Sequence, residues 1–190
     1  MAVIANITKQ KLAAGELSLG MGVRLARGVE IAKVAKVCGY DWLFIDMEHS
    51  PLSLETVADI TLAGLDAGCT PIVRASSHLH HHASRPLDAG AQGIVVPHVN
   101  TADEARRVVD QCLYPPIGHR SMAGGAAILE YDSLPTGDRP PARECSVLGG
   151  GWVATTAAAD PAPHHTRPAG AAMAVPRFPQ PCAPAADARP

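Results

Sequence analysis

Three side chains that can move protons or hold a cation come directly after an apolar segment. Residues 42–46 are typical of a buried strand, and Asp46, Glu48 and His49 lie at its end. Because side chains alternate between the faces of a strand, Asp46 and Glu48 can point the same way. Histidine titrates near neutral pH, so His49 is suited to take a proton from a carbon acid when a carboxylate orients its ring. A cluster that only caps a helix or fixes a loop is the alternative.

A permanent cation closes the next predicted strand, residues 70–75, which contains Arg74. In α/β barrels the carboxyl ends of neighbouring strands meet at one edge, and catalysis takes place there, so we expect Arg74 beside His49. A guanidinium pairs with a substrate carboxylate or with a developing enolate. A surface arginine in an ion pair is the alternative. Asp88 precedes a helix-ending glycine and could reach back to His49, although such residues are more often solvated.

A run of histidines suggests metal binding, but its position argues against a metal site. The run comprises His78, His80, His81 and His82, which we predict to share one loop. Metal sites draw their ligands from separated, rigid positions, so a solvated loop is the preferred interpretation. The sequence also lacks the glycine-rich phosphate-binding motifs and the nucleophile elbow of serine hydrolases.

Lysines are few and stand in the wrong places for Schiff-base chemistry. None of them follows a predicted strand after the first: they are Lys9, Lys11, Lys33 and Lys36. Carbonyl chemistry at this site would therefore need a metal as the electron sink.

Helices and strands alternate along the first part of the chain. Strands are predicted at residues 17–25, 42–46, 70–75 and 92–99, and helices at residues 8–16, 29–38, 54–67, 83–89 and 102–112. This repeat predicts an α/β fold, a partial TIM (β/α)8 barrel with about the first four β/α units. The chain has 190 residues, whereas a complete barrel needs roughly 200 at least and about 250 typically.

The composition changes after the repeat ends. We predict a partial barrel in residues 1–127, an irregular loop region in residues 128–150 and a disordered tail rich in alanine and proline in residues 151–190. Beyond Leu148 the chain has no leucine or isoleucine, so it cannot bury enough apolar surface to offset its ordering entropy. Such an abrupt change resembles a shifted reading frame or a mis-spliced gene model. Sequencing the transcript across this region tests that hypothesis.

Charge and hydropathy exclude several classes of partner. The formal net charge is -2 and both signs are interspersed, so we expect no nucleic-acid partner. No segment approaches the run of about 20 apolar residues that a membrane span needs. The five cysteines form no Cys-x-x-Cys pair, which favours free thiols in a reducing cytoplasm.

Five motifs together resemble the HpcH/HpaI aldolase family in order and spacing. They are residues 40–51 (YDWLFIDMEHSP), 70–74 (TPIVR), 87–97 (LDAGAQGIVVP), 100–106 (NTADEAR) and 114–120 (YPPIGHR), within a resemblance that runs from about Thr8 to about Ala127. The resemblance implies a metal-dependent class II pyruvate aldolase on a (β/α)8 barrel, usually assembled into homo-hexamers. The implied reaction is reversible retro-aldol cleavage of 4-hydroxy-2-oxo acids to pyruvate and an aldehyde.

The resemblance also implies roles for individual residues. His49 matches the base, Arg74 the group that stabilises the enolate, and Asp88 the carboxylate that raises the basicity of His49. Asp46 and Glu48 match strand-end acids near the water shell of the metal. A divalent cation, commonly Mg²⁺, Mn²⁺ or Co²⁺, chelates the 2-oxo acid in that family and acts as a Lewis acid.

The sequence departs from the family after Ala127. The two acids that bind the metal in the family, a Glu in a Gln-x-Glu strand and an Asp in a Gly-x-x-Asp loop, have no match there, so no metal ligand is identifiable. Two alternatives to an active aldolase therefore stay open. One is an inactive half-barrel that acts as an assembly partner through its exposed sheet edges. The other is a relative of the citryl or malyl thioester lyases.

Overall fold

The computed structural model of the chain describes residues 4–121, 127, 131, 146–149 and 152–154. All of these belong to the first of two units, Met1–Ala159, whereas the second unit, Asp160–Pro190, lies outside the described residues. Most of the predicted loop region 128–150 and of the predicted disordered tail 151–190 also lies outside them.

A single sheet carries the described part of the chain. Its strands follow one another in sequence order, β1-β2-β3-β4-β5-β6, and all neighbours are parallel except β5 and β6, which are antiparallel. The strands are β1 (Gly20–Val23), β2 (Trp42–Asp46), β3 (Thr70–Arg74), β4 (Gly93–Val96), β5 (Ser146–Gly149) and β6 (Trp152–Ala154).

Helix α1 (Ile7–Ala13) precedes β1. The helices that follow connect the parallel strands in the manner of β/α units, and they are α2 (Glu30–Val37), α3 (Leu54–Ala67), α4 (His80–Asp88) and α5 (Ala102–Cys112). The predicted alternation of four parallel strands with helices is confirmed, and β2, α3 and α5 have the predicted bounds. Among the described residues, no helix has both the length and the apolar character that a membrane span requires.

The start of α4 differs from the prediction. This helix begins at His80, three residues before the predicted position, so His80, His81 and His82 lie in its first turn and not in a loop. The backbone reason is local, because Leu79 is extended at the N-cap and its carbonyl accepts a hydrogen bond from the N–H of His82 at 2.9 Å. Histidine has no strong aversion to helices, so the run does not delay the helix.

Two further strands are present where the sequence predicts irregular chain and tail. Strand β5 pairs with β4 in the register Gly93↔Ser146, and β6 returns antiparallel through the pair Gly149↔Trp152. A signal for this hairpin exists in the sequence, where Val-Leu and Trp-Val are separated by glycines. The poor overall composition of the region concealed it.

The core is formed by strands that are buried on both faces, as in other parallel sheets. Side chains with no exposed surface come from neighbouring strands and from the helix that covers them: Leu43, Ile45, Val57, Ile60, Val73, Ile94 and Val96. This packing holds β2, β3 and β4 rigidly side by side, so residues at their ends have fixed relative positions.

Polar contacts from α1 cover the amino edge of the sheet. The side chain of Asn6 donates to the carbonyl of Gln92 at 3.2 Å, and Gln92 donates in turn to the carbonyl of Ile4 at 2.7 Å. The N–H of Thr8 donates to the hydroxyl of Thr70 at 3.2 Å. Thr70 begins β3 and Gln92 directly precedes β4, so α1 seals this edge and leaves the carboxyl edge for other uses.

Caps fix where the helices begin after the carboxyl edge. Ser53 accepts a hydrogen bond from the N–H of Thr56 at the start of α3. At the start of α5, Thr101 accepts from the N–H of Glu104 at 3.2 Å, and the Glu104 carboxylate accepts from the N–H of Thr101 at 3.0 Å. This reciprocal pair is a capping box, and it determines how the chain leaves the end of β4.

Replacing the cap of α5 tests this account of the fold. We expect Thr101→Ala to lower the free energy of unfolding by about 1 kcal/mol, because the N–H of Glu104 loses its acceptor. Thr101→Ser keeps the hydroxyl and is the matched control, for which we expect a change within about 0.5 kcal/mol. Urea denaturation followed by circular dichroism measures both. Equal losses in the two variants would contradict a role for the hydroxyl.

Candidate active site at the carboxyl edge

Asp46 and Arg74 end neighbouring strands and face each other. They are the last residues of β2 and β3 and are paired in register. The guanidinium donates to both carboxylate oxygens, from Nε to Oδ1 at 2.9 Å and from Nη2 to Oδ2 at 2.6 Å. The ring of Phe44 lies beneath the guanidinium, and the centre of the ring is 5.5 Å from Cζ of Arg74. Arg74 is therefore held in one orientation by a bidentate ion pair and an aromatic face.

Asp46 also shapes the chain that follows it. Only 1% of its side chain is exposed. Oδ1 accepts hydrogen bonds from the backbone N–H groups of Glu48 at 2.9 Å and His49 at 3.1 Å, while the hydroxyl of Ser50 donates to the Asp46 carbonyl. These contacts turn the chain sharply after β2. For Asp46, the loop-fixing interpretation describes the contacts best.

The environment of Asp46 decides its charge. Burial alone raises the pKa of this carboxyl, but hydrogen bonds from Arg74, His49 and Glu48 and the positive charge of Arg74 outweigh burial, so the pKa lies below its usual value of 3.8. The hydrogen bond to Asp46 in turn raises the pKa of Arg74. At neutral pH Asp46 is a fixed anion and Arg74 a fixed cation, so neither is suited to exchange protons with a substrate.

Glu48 lies between three basic side chains. Its Oε2 is 2.9 Å from Nη1 of Arg74 and 3.6 Å from Nε2 of His49. Its Oε1 is 3.1 Å from Nε2 of His98. The side chain of Glu48 is only 11% exposed, and each of its carboxylate oxygens has a basic side chain beside it. The structure thus places the carboxylate of Glu48, and not that of Asp88, beside the imidazole of His49.

His49 presents its ring to solvent while its backbone is held in place. Its side chain is 57% exposed. The His49 carbonyl accepts from Nε of Arg24 at 3.1 Å and from Nη2 of Arg24 at 2.6 Å. Arg24 comes directly after β1, so the ends of β1, β2, β3 and β4 all contribute a side chain to this cluster. We call Arg24, Asp46, Glu48, His49, Arg74 and His98 the carboxyl-edge cluster.

Two members of the carboxyl-edge cluster are absent from the sequence prediction. Arg24 follows the last residue of β1, and His98 comes two residues after the last residue of β4. The rule that identified His49 and Arg74, namely that functional side chains follow strand ends, identifies both when it is applied to every strand. The overlong predictions for β1 and β4 placed these residues inside or at the limits of strands and hid the signal.

Asp88 does not reach His49, contrary to the prediction. Helix α4 leaves the carboxyl end of β3 and returns the chain to the amino end of β4, so Asp88, its last residue, lies at the opposite edge of the sheet from His49. There Asp88 accepts a hydrogen bond from Nη2 of Arg120. The buried guanidinium of Arg120 lies 4.5 Å from the centre of the Tyr114 ring. The crossover helix is the physical reason for this separation.

The residues that the structure describes do not fit a divalent-metal site. Within them, no group of three or more His, Cys, Asp and Glu side chains could hold a metal ion. Both oxygens of Asp46 are bonded to Arg74, and Oε2 of Glu48 faces Nη1 of the same guanidinium. A cation at either carboxylate would lie beside this permanent positive charge. We therefore assign no reaction step to a metal held by these residues.

Comparisons with known proteins agree with this architecture. The family model of HpcH/HpaI aldolase/citrate lyase matches residues 25–143. Over 130 residues the chain is 42% identical to a 4-hydroxy-4-methyl-2-oxoglutarate aldolase from Hapsidospora irregularis, a match that covers 68% of this chain and 48% of that protein. A 4-hydroxy-2-oxovalerate aldolase from Novosphingobium aromaticivorans is 38% identical over 123 residues, which cover 64% of this chain and 47% of that protein.

A solved structure shows the same arrangement of strands and helices. The crystal structure of an HpcH/HpaI aldolase from Desulfitobacterium hafniense DCB-2 superposes with a TM-score of 0.64 at 27% sequence identity, over 68% of this chain and 50% of that chain. The predicted family resemblance and the partial-barrel fold are thus confirmed. The chain spans about half the length of the curated relatives it matches.

The charge of Asp46 gives a pH-dependent prediction. Because its pKa is lower in the folded chain than the usual 3.8, its stabilisation is complete above about pH 4 and is lost as pH falls through the folded value. We expect Asp46→Asn to lower the free energy of unfolding by about 3 kcal/mol at pH 7, since Arg74 loses a buried partner.

The difference in the free energy of unfolding between Asp46→Asn and the unchanged chain should shrink below pH 4. Urea denaturation at several pH values measures it, and Asp66→Asn, at an exposed position of α3, is the matched control. A difference that stays constant down to pH 3 would show that Asp46 is not the titrating partner.

Proposed function

Because this chain belongs to the HpcH/HpaI aldolase/citrate lyase family, we propose that it takes part in reversible retro-aldol cleavage of a 4-hydroxy-2-oxo acid to pyruvate and an aldehyde. The observation that carries the proposal is the convergence of His49, Glu48 and Arg74 at the carboxyl edge of the sheet. One exposed imidazole, one carboxylate and one fixed guanidinium are the groups that a carbon–carbon cleavage through an enolate requires.

The proposed proton transfers use His49. Its imidazole takes the proton from the C4 hydroxyl of the substrate while the C3–C4 bond breaks. The electron pair of that bond forms the enolate of pyruvate, and the C4 oxygen becomes the carbonyl of the aldehyde. The imidazolium then returns the proton to C3, so the step is balanced in protons and charge.

Arg74 is proposed to bind the negative charge of the substrate. Its Nε, Nη1 and Nη2 atoms each face a carboxylate oxygen of Asp46 or Glu48. A guanidinium has five N–H groups, so Nη1 and Nη2 together keep further N–H groups for the carboxylate or enolate oxygen of a ligand. Since Asp46 holds the guanidinium before the substrate arrives, little reorganisation is needed when charge develops.

Glu48 is proposed to take the part that the sequence assigned to Asp88. The 3.6 Å separation between Oε2 of Glu48 and Nε2 of His49 is an ion-pair distance that shortens to a hydrogen bond with a small rotation. A carboxylate on Nε2 leaves Nδ1 as the ring nitrogen that faces a substrate. It also stabilises the imidazolium that forms when His49 accepts the proton.

Class II aldolases of this family generally depend on a divalent metal, and Mg²⁺, Mn²⁺ or Co²⁺ is the expected cofactor. The metal would supply Lewis-acid stabilisation of the enolate, but the described residues offer no ligand set for it. A homo-oligomer, a hexamer by the family resemblance, and a cytoplasmic location are parts of the same proposal, with a small 2-oxo acid as the substrate.

The competing proposal is an inactive half-barrel that acts as an assembly partner. One observation favours it: among the described residues, no group of three or more His, Cys, Asp and Glu side chains could hold a metal ion. In that case strand β1, which lies at the edge of the described sheet, is the contact surface. A citryl or malyl thioester lyase is a further alternative, and it has less support because the curated relatives above are named as aldolases.

An assay of pyruvate release separates these proposals. We expect the purified chain to release pyruvate from a 4-hydroxy-2-oxo acid with added Mg²⁺, Mn²⁺ or Co²⁺, and His49→Ala to lower the rate at least about 100-fold, because the base is lost. His119→Ala is the matched control, since His119 is exposed and pairs with Asp110 outside the carboxyl-edge cluster. Metal-stimulated release that depends on His49 would exclude the inactive half-barrel. Absence of release, or release that survives His49→Ala, would contradict the aldolase proposal.

A further inference from the structure

His98 is the least buried partner of Glu48. Its side chain is 73% exposed, yet its Nε2 lies 3.1 Å from Oε1 of Glu48. The remaining contacts of Glu48 fall on the other oxygen, where Arg74 and His49 approach Oε2. The contact is an ion-pair distance between an imidazole nitrogen and a carboxylate oxygen. His98 therefore holds one oxygen of Glu48 while the other faces the base and the guanidinium.

Anchoring both oxygens has a geometric effect. The terminal torsion of a glutamate side chain is broad, because it joins a tetrahedral carbon to a planar carboxylate. Contacts on Oε2 alone allow the carboxylate to rotate about this bond. A second contact on Oε1 fixes the plane of the carboxylate and keeps Oε2 directed at Nε2 of His49.

The backbone of His98 has an uncommon conformation. Its φ angle is +58°, in the left-handed region that residues with a Cβ atom rarely adopt. The two residues that follow hold this conformation, since Val99 is buried and the side chain of Asn100 donates to the His98 carbonyl at 3.2 Å. An unfavourable backbone conformation that aims a side chain at a functional carboxylate is typical of active sites.

Ionisable groups from the first three strand ends belong to the same cluster as Glu48 and His98. In the described part of the chain these groups are Arg24 after β1, Asp46 and His49 around the end of β2, and Arg74 on β3, of which His49 and Arg74 contact the Glu48 carboxylate directly. Arg24 and Arg74 are both engaged by Asp46, at 3.6 Å and 2.6 Å. His98 is thus the group from β4 that completes the set around Glu48.

We propose that His98 is a positioning residue, which holds the carboxylate of Glu48 so that Glu48 orients the imidazole of His49. The consequence for catalysis rests on the proposed aldolase function. The contact itself does not, because it is a property of the folded chain. A residue that only stabilised the loop after β4 would not affect the orientation of the His49 imidazole.

A glycine at position 98 distinguishes the effect of the side chain from the effect of the backbone conformation. Glycine adopts a φ angle of +58° without strain, so His98→Gly removes the contact with Glu48 while it keeps or improves stability. We expect kcat for pyruvate release to fall about fivefold to tenfold with little change in KM, as for the loss of one polar contact. His98→Gln restores an N–H donor of similar reach, and we expect it to recover part of the loss.

Nuclear magnetic resonance of the histidine rings gives a readout that does not need turnover. At one fixed pH, we expect the ring ¹⁵N resonances of His49 to move in His98→Gly and in Glu48→Gln, because both changes alter what faces Nε2 of His49. His119→Ala is the control that should leave them in place. The 190-residue chain is used throughout.

The outcomes separate the two proposals. Displaced His49 resonances together with a lower kcat support the positioning role. Displaced resonances in a chain that releases no pyruvate support the contact and overturn the aldolase function. Unchanged resonances in His98→Gly overturn the positioning role, whatever the turnover. If His98→Gly does not fold, His98→Asn replaces it, since asparagine tolerates the left-handed conformation and is too short to reach Oε1.

Discussion

The bidentate pair between Asp46 and Arg74 is the interaction on which the rest of the site depends. A carboxylate that is 1% exposed is stable only because charged and backbone donors replace the water it has lost. The same donors fix the site, since Arg74 ties β3 to β2 and the N–H groups of Glu48 and His49 tie the following turn to Asp46. The donors that compensate the buried charge of Asp46 therefore also bring together the imidazole of His49, the carboxylate of Glu48 and the guanidinium of Arg74.

The two edges of the sheet have different tasks. At the amino edge, α1 closes the sheet through neutral contacts with Thr70 and Gln92 and through an ion pair of Lys11 with Asp41 at 2.6 Å. At the carboxyl edge, charged side chains from four successive strand ends gather around Asp46 and Glu48. Parallel strands make this division possible, because all of them begin at one edge and end at the other. The contacts that close the sheet and the candidate active site thereby lie on opposite sides of the same core.

Local signals in the sequence were enough for most elements and for the residues that lie at strand ends. Ser53, Gly68 and Thr101 mark helix limits through their own chemistry, and α3 and α5 accordingly have the predicted bounds. Strand periodicity and the rule for strand ends locate His49 and Arg74. What the sequence could not supply is the direction in which a helix carries a residue. The sequence therefore predicts Asp88 beside His49 and gives Glu48 only a supporting role. In the structure the carboxylate beside His49 is that of Glu48, while Asp88 accepts a hydrogen bond from Arg120.

The glycines after β5 determine which strands can contribute side chains to the carboxyl edge of the sheet. Each of the first four strands is followed closely by a residue with an ionisable side chain, whereas Gly149 ends β5 and is followed by two more glycines before Trp152. The sequence at the end of β5 therefore offers only backbone groups and no ionisable side chain. Strand β6 then reverses direction, so Ala154, its last residue, lies towards the amino edge of the sheet. The end of β6 is thus directed away from the carboxyl edge that holds His49.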